Sequence, residues 1–428
     1  MRYIKSITIA AMFYLLAGCG GNSDPGALNI NEPKGGKLIA DVPANLIKQD
    51  LLAKGLIDKN TTVFGYRAYK IIYNTTDEEN NTIKASGVMV VPTTYNASKE
   101  AKQKLNLIKQ LGFVMVANNH GTIFANKEAP SVEIENSALP DSIGTIFSSI
   151  SAFVTLQPDY IGFGKSKGHY HPYLLKKSSA SSVADFIKAA IKFAKENNIP
   201  LVASKDVYLT GYSQGGYVTL AAQKKIEQEG EINLKISIPM AGPYLLDAIA
   251  SYVLQLDNIA TPSFMAATAY SYSKAYKKDV ATLINQPYAS KLPKLFSGEF
   301  TREQIDKELT TKVKGKDGLF TNYIVTNYPN SWFKEALAKN SVVDFIPKNP
   351  VKLLHCLGDD VVNYQVAKGA LDTFSYLGAN SVELLPIEPT YTQDANTKLR
   401  LGHIDCALPA YKIATSIFAK YRLNTIGY

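Results

Sequence analysis

The sequence predicts an α/β protein whose central sheet is mostly parallel and is flanked by helices. Apolar strand patterns alternate with amphipathic helical patterns along most of the chain, as in parallel sheets that are covered on both faces. This alternation stops between Pro243 and Val351 and then resumes. Because a structureless loop of that length is implausible, we expect a helical cap, or lid, that is inserted in the chain and lies above the sheet.

The predicted strands begin with an antiparallel hairpin, 62–74 and 82–91, whose β-rich runs are separated by a polar turn. The later strands are continuous apolar runs, typical of strands that are buried on both faces. They are predicted at 113–117, 153–156, 207–209, 234–240, 351–357 and 382–387. Helical spacing of apolar residues predicts helices at 178–197, directly after Ser213, at 365–377 and at 406–421.

These elements divide the chain into a core, 37–243 and 346–428, and a cap, 244–345. Within the cap, helical spacing follows Leu246, and Thr301 with Gln304 forms a capping box. We expect most of the cap's aromatic side chains to form its own core and a few to line a substrate pocket.

Residues 1–18 have the pattern of a lipoprotein signal peptide. Two basic residues precede an apolar run, 7–16, which is too short to span a bilayer. The residues Leu-Ala-Gly-Cys that end at Cys19 resemble a bacterial lipobox, which implies an extracytoplasmic protein anchored to the cell envelope by lipid on that cysteine. Gly20 favours the outer membrane. The alternative is an ordinary cleaved signal with an incidental cysteine, and residues 19–36 are predicted to be a flexible tether.

Composition excludes several classes of function. The chain of 428 residues is 46% hydrophobic and 19% charged, values of a globular protein with a sizeable core. Its net charge of +9 comes from lysines without arginine-rich blocks, so we expect a solvated surface and no nucleic-acid partner. Gly164-Lys-Ser is not a phosphate loop, because Asp159 stands where that motif requires its first glycine.

The strongest chemical signal is a strand, the motif G-x-S-x-G and a helix in immediate succession. Gly211 and Gly215 flank Ser213 where a sharp turn would crowd any side chain. Ser213 is therefore predicted to be an exposed nucleophile at the tip of the turn. The N–H of Gln214, at the start of the helix, is predicted to bind the oxyanion that forms during reaction.

A serine nucleophile needs a histidine base and a carboxylate, and with this turn they follow in the order serine, acid, histidine. Of five histidines, three precede the serine and His355 lies inside a buried strand before the acid, which leaves His403. The turn after the strand at 351 supplies Asp359, our choice for the acid. Asp360 and, more remotely, Asp247 are the alternatives.

Two further predictions depend on loops at the same edge of the sheet. The second oxyanion donor should follow the strand at 113–117, with the backbone of Thr122 preferred and Gly121 as the alternative. Cys356 lies three residues before Asp359, and Cys406 lies three residues after His403. If the acid and the base meet, the two cysteines come close enough to form a disulfide. The alternative is that they remain two buried thiols.

Taken together, these motifs resemble the α/β-hydrolase superfamily, and within it the secretory lipase type. The resemblance covers about residues 60–425 and departs at Asn363, where many relatives have proline. The motifs are Asn119-His-Gly-Thr122, Pro158-Asp-Tyr-Ile-Gly-Phe-Gly-Lys-Ser166, His171-Pro-Tyr173, Gly211-Tyr-Ser-Gln-Gly215, Asp359-Asp-Val-Val362 and Gly402-His403. Membership implies hydrolysis of carboxylic esters beneath a helical cap, without a metal or an organic cofactor.

The sequence therefore predicts a serine esterase or lipase that acts on esters with a hydrophobic acyl group, through an acyl-enzyme intermediate. Its expected partners are the ester substrate and a membrane that holds the lipid anchor. A serine peptidase of the same fold is one alternative, since the same three groups cleave amides. A non-catalytic lipoprotein that binds ligands through its cap is the other.

Overall fold

A computed structural model describes residues 33–137, 139, 143–388 and 400–426. The strands in these ranges are β1 (Gly36–Val42), β2 (Gly65–Thr76), β3 (Thr82–Thr93), β4 (Met115–Asn119), β5 (Val154–Pro158), β6 (Val207–Tyr212), β7 (Leu234–Met240), β8 (Val351–His355) and β9 (Val382–Pro386). They form one sheet in the spatial order β1-β2-β3-β5-β4-β6-β7-β8-β9. The first three neighbouring pairs are antiparallel, and every pair from β5 to β9 is parallel.

The α-helices of the described residues lie before, between and after these strands. They are α1 (Ala44–Ala53), α2 (Lys99–Leu111), α3 (Pro130–Asn136), α4 (Ile143–Ser151), α5 (Lys176–Glu196), α6 (Gln214–Glu229), α7 (Leu246–Val253), α8 (Pro262–Ala275), α9 (Tyr288–Leu295), α10 (Arg302–Glu308), α11 (Asn322–Asn327), α12 (Trp332–Asn340), α13 (Tyr364–Tyr376) and α14 (His403–Ile426). The predicted α/β-hydrolase fold, a mostly parallel sheet flanked by helices, is confirmed. Among these helices, none is both long and apolar enough to cross a membrane.

The two faces of the sheet are covered by different helices. Along β6 alternate side chains point to opposite faces, so that Leu209 packs in the core with α5 and α6, whereas Tyr208 packs in the core with α4 and α14. Both side chains are completely buried. Double coverage explains why β6 appears in the sequence as a continuous apolar run rather than as an alternating one.

Helices α7 to α12 all lie between β7 and β8, in the interval where strands and helices cease to alternate. The capping box at the start of α10 forms as predicted, and the backbone N–H of Thr301 donates to Gln304 Oε1 at 2.9 Å. We refer to α7–α12 and their connections as the cap. It begins directly after β7, so its first helix lies close to the end of the neighbouring strand β6.

The structure differs from the sequence-based predictions at both ends of the described chain. Residues predicted to belong to the tether are already ordered at Lys34, whose backbone N–H donates to Asn197 Oδ1, and β1 begins at Gly36. The last helix begins at His403 rather than at Cys406, so this histidine opens the helix instead of preceding it in a loop. The predicted signal peptide and Cys19 lie outside the described residues.

Candidate active site

The turn around Ser213 joins β6 to α6 in the conformation expected for G-x-S-x-G. Ser213 has φ +58° and ψ −121°, a backbone region that residues with side chains rarely occupy. A Cβ at Gly211 would lie 2.5 Å from the carbonyl oxygen of Asn119, and a Cβ at Gly215 would lie 2.0 Å from the same atom. Only glycine therefore fits at either position, and Ser213 is held at the tip of the turn.

His403 lies between Ser213 and Asp359. Its Nε2 is 2.9 Å from Ser213 Oγ, and its Nδ1 is 2.7 Å from Asp359 Oδ2. A carboxylate only accepts hydrogen bonds, so Nδ1 carries the proton and Nε2 is left to accept from the serine hydroxyl. Asp359 and His403 are 6% and 4% exposed, respectively, so water competes little with either bond.

Three hydrogen bonds and one close contact with a histidine hold the Asp359 carboxylate. Oδ1 accepts from the backbone N–H groups of Val361 and Val362, at 3.0 and 2.8 Å. Oδ2 accepts from His403 and lies 3.2 Å from His355 Nε2. Burial disfavours the charged carboxylate, but the two neighbouring histidines, His355 and His403, outweigh burial and lower the pKa of Asp359 well below its ordinary value. The group is therefore ionised throughout the physiological range.

The other two aspartates that the sequence left open do not contact the His403 ring. Asp360 Oδ1 accepts from the backbone N–H of His403 at 2.9 Å, so it fixes the start of α14. Asp247 lies on α7, and its Oδ1 is 3.4 Å from the hydroxyl of Ser341. The structure thus brings Ser213, His403 and Asp359 together.

His355 is a site residue that our sequence reasoning missed. It was set aside because it precedes the acid and therefore could not be the base, yet it lies at the end of β8 with its ring against Asp359. A signal was available, since a polar ring at the end of a buried strand, four residues before the acid, needs a hydrogen-bonding partner. Glu388 was also missed, and it accepts from the N–H groups of Leu357 and Gly358 in the same turn.

The loop after β4 lies against the nucleophile. A Cβ at Gly121 would lie 3.9 Å from Ser213 Cβ, so the Gly121-Thr122 backbone approaches the serine closely. The Thr122 hydroxyl is 2.9 Å from the Tyr173 hydroxyl, which ties this loop to the wall of the site. Within the described residues, the N–H groups of Thr122 and Gln214 make no hydrogen bond to the protein. Both are therefore free to bind an oxygen.

A buried histidine orients the side chain of Gln214. His171 Nδ1 donates to the carbonyl oxygen of Ile161 at 2.8 Å, which leaves its Nε2 to accept from Gln214 Nε2 at 3.0 Å. Burial lowers the pKa of His171 to about 4, and burial likewise lowers the pKa of His120 to about 4. Both rings are consequently neutral at neutral pH.

A disulfide links the two segments that carry the acid and the base. Cys356 and Cys406 are joined, with their Cα atoms 6.1 Å apart, and both are completely buried. The bond connects the turn that bears Asp359 to the first turn of α14, which begins at His403. Of the two arrangements that the sequence left open, the structure has the bridged one.

An apolar pocket opens beside Ser213, between the turn and the cap. Four of its lining residues have a polar side-chain group, namely Tyr173, Ser213, Gln214 and Thr268, and none of the described lining residues is charged. The others are Leu174, Pro243, Leu246, Ile249, Ala250, Val253, Leu254, Phe264, Met265, Phe320, Phe333, Leu337, Val361 and Val362. In the same described part of the chain, no cluster of three or more His, Cys, Asp or Glu residues could hold a metal ion.

A doubly covered sheet, a serine at a strand-to-helix turn and an apolar pocket beneath a cap together define a serine hydrolase of the α/β-hydrolase class. The sequence model of the secretory lipase family matches residues 150–389, which is more than half of the chain. The chain belongs to the secretory lipase family and is a carboxylic ester hydrolase. Comparison with curated proteins found no match.

Solved structures share the fold. A proposed hydrolase from Legionella pneumophila superposes with a TM-score of 0.74 at 20% identity, over 90% of this chain and 97% of that one. The rice cell wall degrading esterase LipA from Xanthomonas oryzae, in a ligand-bound form, gives 0.71 at 23%, over 90% and 96%. Candida antarctica lipase A in its closed state gives 0.59 at 15%, over 87% and 77%. At these identities the likeness shows the fold alone.

Proposed function

We propose that Ser213, His403 and Asp359 form the catalytic triad of this esterase. The observation that carries the proposal is the continuous hydrogen-bonded chain of 2.9 and 2.7 Å from Ser213 Oγ through the His403 ring to Asp359 Oδ2. A neutral imidazole that accepts from a serine hydroxyl is in place to act as a general base. The ionised carboxylate then stabilises the imidazolium that forms.

In the acylation step, Ser213 Oγ attacks the ester carbonyl carbon while His403 Nε2 takes the hydroxyl proton. The carbonyl oxygen becomes negative, and the N–H groups of Gln214 and Thr122 are the proposed donors to it. The tetrahedral intermediate collapses when His403 returns the proton to the leaving alcohol, so an acyl-serine remains. Water deprotonated by His403 then attacks this acyl group, and Ser213 is released with its proton.

The pocket supports a substrate with a hydrophobic acyl group. A chain that enters between α7, α8 and α12 meets apolar side chains, whereas a charged group would lose its hydration there without a compensating partner. Residues 244–345 are proposed to be the unit that selects the acyl group.

We further propose that the protein carries a lipid at Cys19 and acts outside the cytoplasm, anchored to the bacterial envelope and preferably to the outer membrane. The secretory family and the signal pattern of residues 1–18 support this location. Residues from Cys19 to the start of the folded domain would act as the tether.

The decisive experiment measures an ester panel with protein that lacks residues 1–20. Acyl chains of increasing length and an aminoacyl amide with a matched leaving group are compared, with Ser213→Ala alongside. We expect kcat/KM to rise with acyl length, amide turnover to be slower, and Ser213→Ala to lose about 10⁶-fold in kcat. Faster amide than ester turnover would overturn the ester preference, and residual activity of the alanine variant near that of wild type would overturn the role of Ser213.

A further inference from the structure

His355 Nε2 faces two hydrogen-bond acceptors at once. It lies 2.7 Å from the carbonyl oxygen of Val362 and 3.2 Å from Asp359 Oδ2. The side chains of His355 and Asp359 are both completely buried. The mechanism above uses only His403 at the acid. The contact between His355 and Asp359 therefore has no role in it so far.

The surroundings determine which nitrogen of His355 carries the proton. The carbonyl of Val362 and the ionised carboxylate of Asp359 only accept, so Nε2 must be the donor. Nδ1 is buried and meets no hydrogen-bond partner among the described residues. The Nε2–H therefore donates to the carbonyl oxygen of Val362 at 2.7 Å, with Asp359 Oδ2 3.2 Å from the same nitrogen.

We propose that His355 is a positioning residue for Asp359, an inference that rests on the proposed triad. The His355 N–H binds the Val362 carbonyl while the ring lies against the carboxylate, so it fixes the backbone at Val362 relative to Asp359. The same backbone donates from Val361 and Val362 to Asp359 Oδ1. Loss of the His355 donor therefore loosens both oxygens of the acid and, through Oδ2, the orientation of the His403 ring.

The other groups around His355 contact the ring or the turn in ways that do not replace its N–H. The ring of Tyr364 meets it edge-on, with centroids 5.8 Å apart, and supplies packing rather than a hydrogen bond. Glu388 holds the turn from the other side, where it accepts from the N–H groups of Leu357 and Gly358. A substitution at position 355 that keeps a donor at the Nε2 position should therefore keep the function.

The test compares three substitutions that differ in what they place at that position. His355→Gln puts an amide N–H near the position of Nε2, His355→Asn has an amide too short to reach it, and His355→Phe fills the space without a donor. For a short-chain ester we expect kcat to fall on the order of tenfold in the Asn and Phe variants, with KM almost unchanged. The Gln variant should recover most of kcat. Tyr364→Phe, which keeps the ring contact, is the matched control with wild-type kcat.

Equal kcat for the Gln and Asn variants would overturn the proposal, and so would a wild-type kcat in either the Asn or the Phe variant. Thermal unfolding of each variant shows whether it folds, and the Asn and Gln pair keeps the comparison between two polar side chains even if Phe is not tolerated. Failure of the proposed triad is seen separately. In that case Ser213→Ala would retain activity, whatever substitutions at His355 do.

Discussion

At one edge of the sheet, Ser213, His403 and Asp359 are joined by hydrogen bonds of 2.9 and 2.7 Å, whereas the cap faces the same serine with apolar side chains. We call the first group, together with His355, the catalytic edge. There, almost every polar atom has a partner with a specified direction, and a small displacement breaks the chain. In the cap, contact depends on shape and area, which tolerate substitution. We therefore expect changes at the catalytic edge to alter turnover and changes in the cap to alter substrate preference.

The sharpest test of this contrast replaces the acid. Asp359→Asn keeps the shape but removes the charge that stabilises imidazolium, so we expect kcat to fall on the order of 10⁴-fold. Asp360→Asn is the matched control, because an asparagine oxygen can still accept from the His403 backbone N–H. It should lose little activity. A large loss in Asp360→Asn with near-normal Asp359→Asn would instead make Asp360 the acid.

Removal of the disulfide tests how much the bridge beside the catalytic edge contributes to the stability of the fold. Cys356 and Cys406 are 50 residues apart in sequence, so the bridge closes a long loop and lowers the conformational entropy of the unfolded chain. The double substitution Cys356→Ser and Cys406→Ser should lower the free energy of unfolding by about 4 kcal/mol. Urea unfolding of the oxidised protein and of the double variant measures this difference. Unchanged midpoints would show that the bridge contributes nothing to stability.

Acid should weaken the core beneath the catalytic edge rather than the cap, since residues 244–345 contain no histidine. Burial lowers the pKa of His120 and His171 to about 4, below the ordinary value near 6.5. At pH values between these two pKa values, the unfolded chain binds more protons than the folded protein does, so the free energy of unfolding falls as the pH drops. Each ring should remove about 2 kcal/mol at pH 5.

This loss can be measured by urea unfolding at pH 8 and pH 5. His171→Gln removes one of the two rings and should make the difference between the two pH values smaller. A pH dependence that is unchanged in this variant would contradict the assignment of the loss to His171.

The smallest expected effect belongs to the cap. Ala250→Trp on α7 should fill part of the pocket and lower kcat/KM for long-chain esters about tenfold, while a short-chain ester is affected little. Tyr252→Ala on the same helix is the control, because that side chain is 57% exposed and does not line the pocket. An equal loss for short and long esters would mean that the cap acts on turnover, which would break the contrast.

The sequence was most informative where a simple structural rule allows only a few arrangements of the chain. Strand alternation predicted the sheet, and two glycines that allow no Cβ located the turn around Ser213. The sequence favoured Asp359 but left Asp360 open, because neighbouring residues in a turn point in different directions; in the structure only Asp359 contacts the His403 ring.

Other features could not be read from the sequence because they depend on contacts between distant residues. His355 was missed because we considered each histidine only as a candidate for the base, and not as a ring that could contact the carboxylate of the acid. The edge strand β1 was missed since its residues pair with β2 and carry no strong alternation of their own. The lining of the pocket depends on how the cap helices pack, which a linear pattern does not contain.

The backbone at Ser213 has a consequence for how this enzyme can evolve. At φ +58° any residue with a side chain is strained, and glycine would relax the turn. Under the mechanism proposed above, replacement of Ser213 by glycine would therefore relieve backbone strain and abolish activity at the same time. In the proposed mechanism, stability and turnover thus make opposite demands on the residue at position 213.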